Sequence, residues 1–201
     1  MKHLPWNTAL LVIDMQRGFD DPAWGPRTNP GAEANVARLI ATWRSVGAPV
    51  IHVHHDSPHP SGHFRRGTPG HAAKPEAQPR DGERVYRKSV NSAFIGTRLE
   101  GDLRALGIGT LAITGLTTNH CVSTTARMAG NLGFETFVAA DATATFDRAG
   151  LDGTIRRAAD VHNAALSDLQ DEFAIIVDTG WLIATLGVPE HCSAVQAAGH
   201  G

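Results

Sequence analysis

The chain has 201 residues, 42% of them apolar and 19% charged, the size and make-up of one globular domain. Its 18 Lys and Arg against 20 Asp and Glu leave a formal charge of −2, so nothing calls for nucleic acid or an anionic membrane as partner. A disordered chain, a collagen-like repeat and, with only 2 Cys, a disulfide scaffold are excluded.

Residues 1–16 carry one Lys and a short apolar stretch closed by Asp14, with no small-residue cleavage site. No apolar run approaches the roughly 20 residues that span a bilayer, so a cytoplasmic protein is expected. Within that segment, 9–13 is near-continuously apolar, as strands buried on both faces are. Ala34, Ala37, Leu39, Ile40 and Trp43 then recur at helical spacing until Gly47, Ala48 and Pro49 stop them. A second strand is predicted over 50–54 and a weaker one over 84–87, just before Lys88. Between them, 56–82 is rich in Pro, Gly, His and Arg, and an irregular segment of that length predicts a lid or a substrate wall. Leu99, Leu103 and Leu106 mark a helix up to Gly107, followed by a strand over 111–114. The next helix carries Val122, Thr125, Ala126, Ala129 and Leu132 up to Gly133. A strand over 134–140 follows, with Asp141 opening a loop. Ile155, Ala158, Ala159, His162 and Leu166 predict a last long helix, and 173–177 a last strand. This alternation predicts a doubly wound α/β fold: a six-stranded, mostly parallel sheet with helices on both faces. One domain is expected over 1–187, with 188–201 a frayed tail.

In such folds, ligands bind beyond the carboxyl ends of the strands. Three strand exits there supply a carboxylate, Asp14, an ammonium, Lys88, and a thiol, Cys121. Cys121 falls in the first turn of a helix that begins near Thr118 or Asn119, where unpaired N–H groups and a nearby ammonium favour a thiolate. Asp14 can take the thiol proton and hand it to a leaving amine, which is nucleophilic catalysis with a positioned acid–base partner. The same residues also fit plainer roles, Asp14 as a helix cap or ion-pair partner of Lys88 and Cys121 as a packed core thiol.

LLVIDMQRGF around Asp14, VYRKSVNSAF around Lys88 and ITGLTTNHCVSTTARMAGNLGF around Cys121 resemble, in that order, the isochorismatase-like cysteine hydrolases. That superfamily includes nicotinamidases, N-carbamoylsarcosine amidohydrolases and ureide hydrolases, and the likeness runs from about Thr8 to Leu186. It implies Cys121 as nucleophile, Asp14 as general acid–base and Lys88 as the cation that holds the thiolate. It also implies a cis peptide between Leu116 and Thr117, which sets the Thr117 N–H beside the Cys121 N–H as an oxyanion hole. Isochorismatases proper cleave a vinyl ether and do not need this thiol, so a Cys within TNHCV points to carbon–nitrogen hydrolysis through a thioester. The implied substrate is a small amide, ureide or carbamoyl compound. The implied assembly is a homo-oligomer, a dimer or tetramer, with no nucleic-acid or membrane partner.

Nicotinamidases hold a metal through an Asp, a His two residues on and a later His. Here the residue two beyond Asp56 is Pro58, with His59 one position late, and Pro58 and Pro60 oppose the helix that a His59–His63 ligand pair needs. No metal or other cofactor is therefore expected. The reading is a metal-independent cysteine amidohydrolase, with a metal-assisted nicotinamidase-like amidase and a non-enzymatic thiol redox or binding module as its rivals. Arg65 and Arg66 resemble the loop before the lysine motif in the carbamoylsarcosine and ureide branches and are predicted to clamp a substrate carboxylate or ureido oxygen. Phe19, Trp24, Asn91 and Phe94 are the predicted pocket lining. Thr118 and Asn119 are read as caps of the catalytic helix, His120 as pointing away from the nucleophile, and His162 as structural.

Overall fold

The apolar runs are strands of one six-stranded, all-parallel sheet in the computed structural model, which describes residues 3–187. The tail predicted over 188–201, with Cys192, lies outside the described residues. β1 (Ala9–Ile13) is buried throughout, and its side chains part by simple alternation. Leu10 and Val12 pack under α1 (Ala32–Ser45), against Val36, Leu39, Ile40 and Trp43. Ala9, Leu11 and Ile13 face the opposite layer, as do Ile51 and Val53 of β2 (Val50–His55). β3 (Arg84–Lys88) is an exposed edge strand, which is why its sequence reads weakly apolar. α2 (Leu99–Ala105) brings Leu99 and Leu103 to the second layer, and β4 (Thr110–Leu116) follows, buried along its length.

α3 (Ser123–Asn131) packs Ala126 and Ala129 beside α2, and β5 (Glu135–Ala144) runs four residues past the predicted strand end. The register between β4 and β5 slips between Ile113 and Gly115, so Asp141 sits inside a bulged strand rather than opening a loop. Its carboxylate accepts from the Thr179 N–H at 2.8 Å and the Thr179 hydroxyl at 2.9 Å. The predicted helix from Ile155 starts later. β6 (Arg148–Ala149) and β7 (Ile155–Arg156) form a small antiparallel hairpin, and only then does α4 (Ala158–Ser167) begin. Asp147 fixes that start by accepting the Ala158 N–H at 2.7 Å. β8 (Ile175–Val177) is followed by α5 (Thr179–Thr185), a helix not predicted, capped by Asp178, whose carboxylate accepts the Trp181 N–H at 2.6 Å. The 56–82 segment holds only the single-turn helices Pro69–His71 and Pro75–Ala77. No helix among the described residues is long and apolar enough to cross a membrane.

The strand order is β3-β2-β1-β4-β5-β8, so the chain winds outward in both directions from the gap between β1 and β4. That gap is the topological switch point, where loops leave the sheet to opposite sides and open a crevice. Register aligns the exits around it: Ile13 lies opposite Val53 and Gly115, and His55 lies opposite Lys88. Gly115 has φ +112°, and a Cβ there would stand 2.0 Å from the Ile13 carbonyl oxygen. Gly115→Ala is expected to cost about 3 kcal/mol through overpacking and backbone strain. That is a fall in Tm of about 6–12 °C for a domain of this size, read by thermal denaturation.

Candidate active site

Asp14 follows the last residue of β1 and takes φ +48°, a left-handed conformation that turns its carboxylate inward from the strand end. Its N–H donates to the Val53 carbonyl at 2.8 Å, fixing it to β2. Lys88 ends β3 and reaches under the loops. Its side chain is fully buried, and its ammonium donates to Asp14 Oδ2 at 2.6 Å, His55 Nδ1 at 3.2 Å and Cys121 Sγ at 3.3 Å. Cys121 lies within a π-helical turn, Thr118–Val122, set between β4 and α3. The three predicted catalytic side chains are thus in mutual contact.

The Leu116–Thr117 peptide is cis, and the Thr117 carbonyl accepts from the N–H groups of His120 at 3.1 Å and Val122 at 3.2 Å. The N–H groups of Thr117 and Cys121 take no part in that pair. Thr118 and Asn119 do not cap α3. Thr118 Oγ1 bonds His162 Nδ1 at 2.9 Å, and Asn119 Oδ1 accepts from the Thr145 hydroxyl at 2.5 Å. These bonds tie the turn that carries Cys121 to α4 and to the end of β5.

The electrostatics reverse one expectation. Burial first, and the Asp14 carboxylate second, push the Cys121 thiol up to about 12, outweighing the pull of Lys88. The Lys88 charge is already engaged by Asp14 at the shorter distance, so it does not stabilise a free thiolate. Both effects favour the protonated thiol over the thiolate at rest. Burial likewise raises Asp14 above the ordinary carboxylate range, with Lys88 opposing. Among the described residues no hydrogen-bond partner meets the buried Asp14 Oδ1, an acceptor left open beside the thiol. Burial, then Lys88, hold His55 below the usual imidazole range, so it is neutral. Because an ammonium only donates, His55 Nδ1 must be the acceptor, and its proton sits on Nε2.

A cavity of about 280 Å³ opens over the thiol. Asp14, Cys121 and Thr117 form its floor, Phe19, Trp24 and Phe64 one wall, and Asn91, His55 and His120 the remainder. Phe19, Trp24 and Asn91 are where the sequence places them. Phe94 is not: it stacks on Phe134 at 5.9 Å between ring centres and joins the core near α2. Arg65 and Arg66 are also elsewhere. Arg65 donates to the Pro60 carbonyl at 3.3 Å, and Arg66 pairs with Asp56. His120 faces the cavity after all, because the π-turn alters the angular spacing that would separate neighbours on an α-helix. A larger open depression of about 820 Å³, between α3, α4 and the hairpin, holds neither the thiol nor the buried ion pair.

Sequence reasoning missed His55, Phe64 and Gln16. Gln16 is fully buried and accepts the His55 N–H at 2.7 Å while donating to the carbonyls of His55 and His71, locking the β1 and β2 exits together. Its only signal was a polar residue two past Asp14. His55 was hidden in a run of histidines, and Phe64 in a loop without periodicity.

A metal held by Asp56, His59 and His63 does not fit this arrangement. Asp56 is bound by Arg66, by Arg87 at 3.2 Å and by His71 at 2.6 Å, so two guanidinium groups already supply the positive charge beside it. His59 bonds Ser61 and His63 pairs with Asp21 at 3.2 Å. Asp14, His55 and Cys121 do bring potential ligand atoms within 4.8 Å of one another, but the Lys88 ammonium bonds to all three.

An isochorismatase-domain family model matches residues 8–180. The chain belongs to the isochorismatase family. This isochorismatase-family protein is 47% identical over 175 residues to the family protein YrdC of Bacillus subtilis, covering 87% of this chain and 94% of that one. It is 33% identical over 183 residues to nicotinamidase 3 of Arabidopsis thaliana, covering 85% and 84% of the two chains. A crystal structure of an isochorismatase-family hydrolase from Chromobacterium violaceum superposes with a TM-score of 0.90 at 45% identity, covering 93% of this chain and 97% of the other.

Lys88→Ala is expected to destabilise the fold by about 3–5 kcal/mol, because it strands the Asp14 carboxylate in a buried site. With Lys88 gone, the folded-state pKa of Asp14 rises further above its unfolded value. The folded protein then binds more protons than the unfolded chain, and stability falls as pH rises. Urea denaturation of wild type and variant should show the deficit shrinking toward acid pH. A deficit independent of pH would mean Asp14 is not what the lysine neutralises.

Proposed function

We propose that this protein is a metal-independent cysteine amidohydrolase that cleaves the C–N bond of a small amide, ureide or carbamoyl compound through a thioester on Cys121. The observation that carries this reading is the buried contact of thiol, carboxylate and ammonium at the floor of a small cavity. A relative named a nicotinamidase lends support.

As Sγ attacks the carbonyl carbon, its proton passes to Asp14 Oδ1, the open acceptor. The N–H groups of Thr117 and Cys121 receive the developing oxyanion. Asp14 then gives the proton to the departing nitrogen, and ammonia or an amine leaves behind a thioester. Asp14 next takes a proton from water, the resulting hydroxide attacks the thioester carbon, and the proton returns to sulfur. A protonated resting thiol suits this order, since the nucleophile is made only as the bond forms. Lys88 keeps Asp14 anionic between turnovers and pins its second oxygen.

The test is ammonia release from a panel of primary amides and ureides, with acid-quenched samples analysed for acyl mass on the Cys121 peptide. Turnover with a trapped Cys121 adduct, unaffected by chelator, is expected. Activity lost to chelator and restored by zinc or iron would overturn the metal-independent reading, and turnover with no adduct would overturn the thioester.

A further inference from the structure

We propose that the acyl group accepted here is uncharged, flat and apolar, so the preferred substrate is a neutral carboxamide of the benzamide or crotonamide type rather than a carboxylate-bearing ureide or half-amide. This rests on the reading of Cys121 as an amide-cleaving nucleophile. The wall above the thiol is aromatic: Phe19 lies 4.6 Å from Phe64 and 5.3 Å from Trp24 between ring centres, with Phe146 packed behind at 5.4 Å from Trp24. The Trp24 indole N–H is already given to the Gly18 carbonyl at 2.8 Å, so the ring offers the cavity only its apolar body. A flat apolar group placed here gains from area removed from water and from ring-face contact.

Among the described residues, no Lys or Arg lines the cavity to receive a carboxylate. Lys88 is fully buried and its donors go to Asp14, His55 and Cys121. Arg65, Arg66 and Arg87 are directed to Pro60, Asp56 and His71, outside the cavity. Arg148 donates to His120 Nε2 at 2.9 Å, which makes that nitrogen an acceptor and His120 neutral. Burial and Arg148 hold His120 below the usual imidazole range, and His55 is held neutral as described. At the cavity floor the Asp14 carboxylate and the Lys88 ammonium balance each other at 2.6 Å, so the pair offers an incoming anion no spare positive charge. An unpaired carboxylate brought into this space loses hydration with no cation in the lining to offset it. The neutral polar groups, Asn91 and the two histidines, are suited to the amide itself.

The test uses pairs alike in shape and different in charge: crotonamide against maleamate, and N-propylurea against N-carbamoylglycine. Ammonia release should favour the neutral member by on the order of 10²-fold or more in kcat/KM. Trp24→Ala should raise KM for benzamide more than it lowers kcat, since it removes wall and not chemistry. Calorimetric binding to Cys121→Ala reads the same preference without turnover. Equal or better use of maleamate or N-carbamoylglycine, in turnover and in binding, would overturn the pocket assignment while leaving the cysteine hydrolase intact. Tighter binding of neutral amides with no Cys121-dependent ammonia from any compound would uphold the pocket assignment and sink the hydrolase reading instead.

Discussion

Cys121→Ala is expected to lower kcat/KM for amide hydrolysis by at least ~10⁴-fold, because the thioester cannot form and no second thiol lines the cavity among the described residues. The fold should survive. Cys121 is held by the backbone of the π-turn, and the turn is tied down by Thr118 to His162 and Asn119 to Thr145 rather than by the sulfur. Thermal denaturation of the variant should therefore match wild type within a few degrees, separating lost chemistry from lost structure. Cys121→Ser should be nearly as inactive, since a buried hydroxyl beside an anion is harder still to deprotonate than the thiol. Undiminished ammonia release by either variant would remove Cys121 from the mechanism.

Asp14→Asn carries the second large effect, a loss of ~10²–10⁴-fold in kcat/KM from removing the proton acceptor. Its diagnostic value lies in two pH readouts with worked signs. In the wild type, activity needs Asp14 ionised, so kcat/KM should fall as pH drops through a pKa raised by burial above the ordinary carboxylate range. The residual activity of the variant should lack that acid limb. Meanwhile the thiol, pushed up to about 12 in part by the Asp14 charge, should become more acidic in the variant, because Lys88 remains and the anion is gone. Thiolate absorbance against pH reads this directly. A variant that keeps the acid limb at the same pH, or whose thiol titrates no lower, would show that Asp14 is not the group in contact with the sulfur proton.

Much of this was legible before any coordinates. Residues 9–13 match β1, 50–54 and 84–87 fall one residue short of β2 and β3, and the three strand exits named the three residues that meet. Asp14, Lys88 and Cys121 were readable because each lies at or just beyond the carboxyl end of a strand, and an α/β sheet places all such ends on one edge. The misses are of a different kind. Ile155 kept helical spacing with Ala158 and His162, yet two residues of it went to a hairpin closed by a turn at Gly153, whose φ is +77°. Phe94 was as apolar as any pocket residue, and only its packing on Phe134 sent it to the core. Arg65 and Arg66 had the right chemistry for an anion, but Asp56 and the Pro60 carbonyl, in the same loop, claimed them.

The sequence by itself determined the architecture, the family and the three strand-end side chains that meet, because buried-strand patterning and strand-end chemistry are local and survive without knowledge of neighbours. Tertiary structure alone decided the upward shift of the thiol, the aromatic wall and the absence, among the described residues, of Lys or Arg from the cavity lining. A pKa depends on how deeply a group is buried and on which charge lies nearest, and both are set by chain segments far apart in sequence. The same holds for Phe64, His55 and Gln16, whose roles come from where an irregular loop and two strand ends converge in space.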